Sequence, residues 1–253
     1  MAGARTYRET CLVLDKTKLK EADLILTMLA RDGRQVRAVA KGARKPGSRL
    51  AARCEVGCTV DLLLARGRSL DVVSQAELMV APLGAAPSYE LLCAGAAVCE
   101  VARLCSYEDA ADPVAFPMTA RALEVAGGAL GSLPDAAHLD VIVAAYAFKL
   151  LSHLGYRPVL DGCAACGDEA VSHFSAVAGG LMCASCAASV PGAEPVDATE
   201  AAWLRALIGL RFDELARAPV DPSTATLLLA FAHTWAATHL DARLRALEFM
   251  LGR

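Results

Sequence analysis

Near residue 81 the chain changes its hydrophobic period, and this change restricts its fold more than any other feature. From Tyr7 to Met79 the apolar residues gather in short runs: Glu9–Asp15, Asp23–Ala30, Gln35–Ala40, Val56–Ala65 and Leu70–Met79. Runs of this length between polar turns read as β-strands. Asp32-Gly33 separates the second and third, and such a dipeptide closes a hairpin. Gly67 and its arginine neighbours have the same place between the fourth and fifth. A short helix is expected at Arg49–Arg53. Five strands with an excursion after the third is the strand count of a small closed barrel such as an OB-fold. An SH3-like barrel fits the same pattern, and periodicity does not separate the two.

Beyond Pro82 and Pro87 the spacing turns helical. Helices are expected at Ser88–Cys105, Pro117–Leu130, Ala136–Leu154, Asp197–Leu207, Ser223–His239 and Arg243–Leu251. Leu228, Phe231 and Trp235 share one face of the penultimate helix, the spacing of a core stripe. Pro222–Leu240 is uncharged, but its four threonines and two histidines suit a buried helix better than a membrane span. The fold class is therefore α+β, with strands first and helices after.

Net charge is −3, which names no partner, yet its distribution is uneven. Residues 1–80 hold 15 Lys and Arg against 9 Asp and Glu, a net of +6. The rest of the chain holds 10 against 19, a net of −9. A basic module joined to an acidic one points to a polyanion partner for the first. Ten cysteines without an export signal suggest a reducing compartment, so thiols or metal ligands are expected rather than disulfides. The expected location is the cytoplasm.

The cysteines carry the sharpest chemical signal. Cys163-Ala-Ala-Cys166 is followed, after 16 residues, by Cys183-Ala-Ser-Cys186. Two such pairs can close a tetrahedron around one Zn²⁺, and the interval is that of a four-cysteine zinc ribbon. Two redox-active pairs, or four unrelated core cysteines, are the alternatives. Four thiolates leave no open position for water, so a zinc ion here is structural. A zinc deaminase needs His-x-Glu beside Pro-Cys-x-x-Cys, and the sequence contains neither.

Lys41, Arg44, Lys45 and Arg49 fall within nine residues, interrupted by Gly42, Pro46 and Gly47. Gly42-x₄-Gly47 has the glycine spacing of a P-loop but lacks the Lys-Ser/Thr that must follow. What remains is a mobile cationic loop suited to a phosphate backbone, with Arg34 and Arg37 extending the patch. Tyr7 is the only aromatic residue before Tyr89, so stacking on bases contributes little. Binding would be electrostatic, nearly indifferent to sequence and sensitive to salt.

The chain resembles the RecO family of bacterial recombination mediators along essentially its whole length. The resemblance rests on Tyr7-Arg-Glu-Thr-Cys-Leu-Val-Leu-Asp, on Ala-Lys41-Gly-Ala-Arg-Lys, on the helical region, and on Leu154-Gly155-Tyr156-Arg157-Pro158 leading into the two cysteine pairs. It implies an OB-fold over residues 1–80 and a helical domain over 81–160 and 191–253. A zinc finger at 161–190, with one structural Zn²⁺ on Cys163, Cys166, Cys183 and Cys186, completes the plan. It also implies a non-enzymatic role: binding of single- and double-stranded DNA, strand annealing, and loading of RecA onto strands coated by single-strand-binding protein. Implied partners are RecR, the C-terminal tail of the single-strand-binding protein, and in many members RecF, with no membrane. Arg103, Arg121 or Lys149 is a candidate to receive the acidic tail. The competing function classes are a zinc-dependent hydrolase or deaminase, and a zinc-containing protein-interaction adaptor without direct DNA binding.

Overall fold

The computed structural model describes residues 6–252. The chain divides into two compact units, Met1–Leu133 and Pro134–Arg253.

In the first unit β1 (Thr6–Lys18), β2 (Leu24–Ala30), β3 (Gln35–Ala40), α1 (Arg49–Arg53), β4 (Thr59–Ala65) and β5 (Asp71–Val80) follow in order. β1 pairs antiparallel with both β2 and β4, β2 with β3, and β4 with β5. A short parallel pairing, Ala38 to Asp71 and Val39 to Val72, joins β3 to β5 and closes the ring. Alternation decides what lies inside: Val60, Leu62 and Leu64 of β4 are fully buried, while the residues between them are only partly buried. With Cys11, Val13, Leu26 and Met28 they fill the interior. Leu12, Leu14 and Leu29 are buried too, because α2 (Tyr89–Leu104) packs across the outer face of β1 and β2. Four consecutive buried residues in β1 are thus one face toward the barrel and one toward a helix.

Cys93, Cys99 and Cys105 are buried here as small hydrophobes. Burial pushes the Cys99 and Cys105 thiols up to about 12.

The five successive strands and the α1 boundaries follow the sequence expectation, with differences at several ends. β4 starts at Thr59, not Val56, because Glu55–Cys58 forms a turn in which Cys58 N–H donates to the Glu55 carbonyl. α3 spans Ala115–Ala126, earlier than the expected 117–130. Pro117 sits in its first turn, where a missing N–H costs nothing. The helix stops before Gly127, whose backbone passes so near the Pro82 carbonyl that a Cβ would lie 1.8 Å from that oxygen. At the β2–β3 turn Gly33 adopts φ +85°, and a Cβ there would lie 1.8 Å from the Asp112 carbonyl oxygen.

The second unit is built on α4 (Ala136–His153) and α8 (Pro222–Leu240), which pack along each other. Around them lie β6 (His173–Ser175), β7 (Gly180–Met182), α5 (Ala184–Ala187), β8 (Glu194–Pro195), α6 (Ala198–Gly209), α7 (Phe212–Leu215) and α9 (Arg245–Leu251). Aspartates start the three long helices. Asp135, Asp197 and Asp221 each accept a backbone N–H from the third residue beyond, and Asp197 completes a capping box with Glu200. Hydrogen bonds from Ser223 and Thr224 hold the Asp221 carboxyl well below the usual carboxylate range. Its stabilising contribution is therefore full above the unfolded-state value near pH 4 and is lost as the pH falls toward the depressed one. Asp221→Asn keeps the cap but removes that charge, so its acid-unfolding profile should be flatter between about pH 4 and pH 2. Circular dichroism against pH checks this.

Phe174 of β6 ties the small sheet to the bundle. Its ring lies 6.2 Å from that of Phe148, 4.9 Å from Phe231 and 5.8 Å from Trp235. The Trp235 indole N–H donates to the Tyr156 carbonyl at 3.1 Å. Phe174→Ala should cost about 3–5 kcal/mol, the range for deleting a buried aromatic ring, and chemical denaturation would measure it. Among the described residues no helix is long and apolar enough to cross a membrane.

Candidate metal centre and nucleic-acid interface

The two cysteine pairs meet. The sulfurs of Cys163, Cys166, Cys183 and Cys186 all lie within 4.8 Å of one another, and Cys166 Sγ is 3.8 Å from Cys183 Sγ. A tetrahedron of thiolates at a Zn–S distance of about 2.3 Å has edges of about 3.8 Å, so the cage has the right size and donor set for one such ion. The local backbone builds it. Gly167 N–H donates to the Cys163 carbonyl and Cys163 N–H to the Asp168 carbonyl, both at 2.8 Å. Gly167, at φ +80°, makes the reversal. The second pair opens α5, with Cys183 as its N-cap. Gly180 carries φ +149° against β-bridged Val159, whose carbonyl oxygen would be 2.1 Å from a Cβ.

Cys163 and Cys183 are buried, Cys186 partly so, and Cys166 is exposed. Backbone N–H groups, that of Cys183 foremost, draw the Cys163 thiol down to about 6. The neighbouring sulfurs of Cys166, Cys183 and Cys163 push Cys186 up to about 12. A bound divalent ion would supply the positive charge that favours the thiolate form of these ligands. His173 is not part of this set; its Nδ1 lies 2.9 Å from Ser172 Oγ.

The cationic segment leaves β3 at Lys41. It is anchored rather than loose, in contrast to the mobile loop expected from its glycines. Gly42 N–H donates to Asp23 Oδ1 at 2.8 Å, and Arg44 N–H to the Ala22 carbonyl at 2.9 Å. The Arg44 guanidinium donates to the carbonyls of Lys20 and Glu21. These bonds fasten the segment to the β1–β2 turn. Lys41, Arg44 and Lys45 are exposed there, and the turn itself contributes the exposed Lys18 and Lys20.

Arg34 and Arg37 lie elsewhere. Arg34 is at the other end of β3, about 20 Å along the strand from Lys41, and pairs with Asp32 at 2.7 Å and Glu9 at 3.8 Å. Arg37 faces Glu108 at 3.9 Å. Arg49 lines a groove of about 770 Å³ together with Arg8, Arg53, Asp61 and residues 74–78 of β5. Sequence reasoning missed Arg8 and Arg53, which no local motif marks. Of the three cations considered for an acidic tail, Lys149 closes the end of α6 by donating to the Ile208 and Leu210 carbonyls, and burial pulls it down to about 8. Arg121 pairs with Glu124 at 3.1 Å.

Comparison with known proteins gives the same outline. Residues 1–81 match the family model for the recombination protein O N terminal region, and residues 86–248 match that for its C terminal region. The DNA repair protein RecO of Bifidobacterium adolescentis is 35% identical over 251 residues, covering 96% of this chain and 98% of the relative. That of Frankia casuarinae is 35% identical over 254 residues, and that of Nocardioides sp. 33% over 257, each with the same coverage. With both halves matched and full-length relatives above 30% identity, the chain belongs to the RecO family of DNA repair proteins.

Proposed function

We propose that this protein is a non-enzymatic recombination mediator, binding single- and double-stranded DNA, annealing complementary strands and helping RecR to load RecA onto single strands coated by single-strand-binding protein. The observation that carries the DNA-binding step is the anchored cationic segment Lys41–Lys45, fixed on the β1–β2 turn of the barrel. Annealing brings two polyanions together, and fixed cations lower their repulsion. The ring of strand pairings, with a helix between the third and fourth strands, supports reading residues 1–80 as an OB-fold. Residues 81–160 and 191–253 then form the helical domain.

In this reading Cys163, Cys166, Cys183 and Cys186 of the 161–190 finger hold one Zn²⁺. The ion supplies folding energy, because four thiolates close its coordination sphere. Lys41, Arg44, Lys45 and Arg49 contact phosphates, with Arg34 and Arg37 secondary because acidic neighbours already engage them. RecR, the tail of the single-strand-binding protein and RecF are the partners that the family membership supports, and the cytoplasmic nucleoid is the matching location. Annealing of complementary oligonucleotides precoated with single-strand-binding protein tests the reading. The native chain should accelerate it, and the Lys41→Ala, Arg44→Ala, Lys45→Ala triple variant should not. Equal rates would refute the assignment of that segment.

A further inference from the structure

We infer that Tyr107 is a base-stacking residue of the barrel and biases its DNA site toward single strands. The inference rests on the DNA-binding reading proposed above. The five strands hold one aromatic residue, Tyr7, and it is engaged. The Arg66 guanidinium lies 4.9 Å over its ring, and its hydroxyl donates to Asp71. The fold supplies a second ring from beyond β5. After α2 the chain returns to the start of β3, where Gln35 N–H donates to the Tyr107 carbonyl at 2.9 Å. The Gln35 side-chain amide donates to the Arg103 carbonyl at 3.0 Å and lies 3.1 Å from Ser106 Oγ. A bridge between Tyr107 and Ala110 closes the turn that follows, and Gly33 packs against the Asp112 backbone just beyond. The segment is thus fixed on both sides of Tyr107. Tyr107 is nevertheless 63% exposed, and among the described residues its side chain has no hydrogen-bond, aromatic or cation partner. A ring on a fixed backbone loses little freedom when a flat ligand covers it.

The surroundings select the ligand. Gln35 lies between Arg34 and Arg37 in the chain, so Tyr107 meets the barrel beside two guanidiniums. The Arg37 pair with Glu108 is long at 3.9 Å and half-exposed on both sides, a surface pair of the kind that contributes little. A phosphate can compete for that arginine. Glu108 and Asp109 follow the ring and are exposed, so a dense array of phosphates is repelled here. A duplex brings two backbones and keeps its base faces inside the stack. A single strand can instead turn an uncharged base face to the ring, which is the sequence-tolerant contact of single-strand-binding proteins. Lys41 is six residues beyond Gln35, about 20 Å along an extended strand. The roughly 4–16 nucleotides held by one barrel of this kind cover that span. One strand can therefore lie on the Lys41–Lys45 segment and on Tyr107 together.

The probes are a fluorescein-labelled oligo-dT and a long labelled duplex, each titrated with the full-length protein and followed by anisotropy. Tyr107→Ala should bind oligo-dT at least about fivefold more weakly, the loss of one base stack. Its slope of affinity against salt should stay native, because no charge is removed. Affinity for the duplex should also stay native, and Tyr107→Phe should match the native chain on both probes. The anchor to Gln35 uses the Tyr107 carbonyl, which alanine retains, and thermal melting checks that each variant folds. An oligonucleotide carrying one 2-aminopurine gives a direct signature. Its fluorescence should be quenched by the native chain and by Tyr107→Phe, and less so by Tyr107→Ala. Unchanged oligo-dT affinity in Tyr107→Ala, or an equal loss on the duplex, overturns the inference and leaves DNA binding by the cationic segment standing. Absence of saturable binding of either probe by the native chain refutes the DNA-binding reading itself, and this inference with it.

Discussion

Cys163→Ser or Cys183→Ser should abolish metal uptake and unfold the segment around residues 159–190. Each removes one of four sulfurs that lie within 4.8 Å of one another, and a serine hydroxyl does not replace a thiolate on zinc. The free energy of binding such an ion is on the order of 10 kcal/mol at neutral pH, and where the site exists only in the folded chain it is folding energy. The strands β6 and β7 are only three residues long, so beyond the Phe174 anchor in the bundle their own ladder holds them weakly. Elemental analysis of the native protein should give about one zinc per chain, and the variants should give none. Hydrogen exchange should show amides protected in the native ribbon, such as Leu181, exchanging freely in the variants. Full metal content with unchanged protection in either variant would disprove the four-sulfur site.

The second large effect concerns salt. If Lys41, Arg44, Lys45 and Arg49 each contact one phosphate, as proposed, the log–log slope of affinity against salt should be about −3 on single-stranded DNA. The triple alanine variant removes three of them, leaving a slope of about −0.7 and an affinity lower by orders of magnitude near physiological salt. The three cations are not equivalent. Arg44 bonds two carbonyls of the β1–β2 turn, so Arg44→Ala alone also loosens the segment that positions the lysines. Lys41→Ala with Lys45→Ala leaves that anchor in place and should change the slope by about 1.4. Polarisation titrations with a labelled oligonucleotide at several salt concentrations separate these cases. Slopes equal to the native one would exclude the segment from the interface.

The five strands, the helix at Arg49–Arg53 and the long helices could be read from the sequence because each obeys a local period. Asp135, Asp197 and Asp221 mark the helix starts with side chains that reach only three residues forward. The cysteine cage was legible for the same reason, since each knuckle is a turn of four residues. The ribbon's strands were not, because three residues such as His173–Ser175 carry no period. Neither was α7, a single turn at Phe212–Leu215. Charge on a strand was the least legible feature. Arg34 and Arg37 look like an extension of the basic patch until the fold brings Glu9 and Glu108 against them from distant parts of the chain. The groove beside β5 collects Arg8, Arg49 and Arg53 from two elements 41 positions apart in sequence, and no linear window contains it.

Phe174 belongs to the ribbon by sequence and to the bundle by packing. The hydrophobic centre between α4 and α8 is therefore incomplete until the ribbon has folded against it. Melting of the second unit should then be a single cooperative event, and if the four cysteines hold a metal, chelating it should lower the midpoint for α4 and α8 as well.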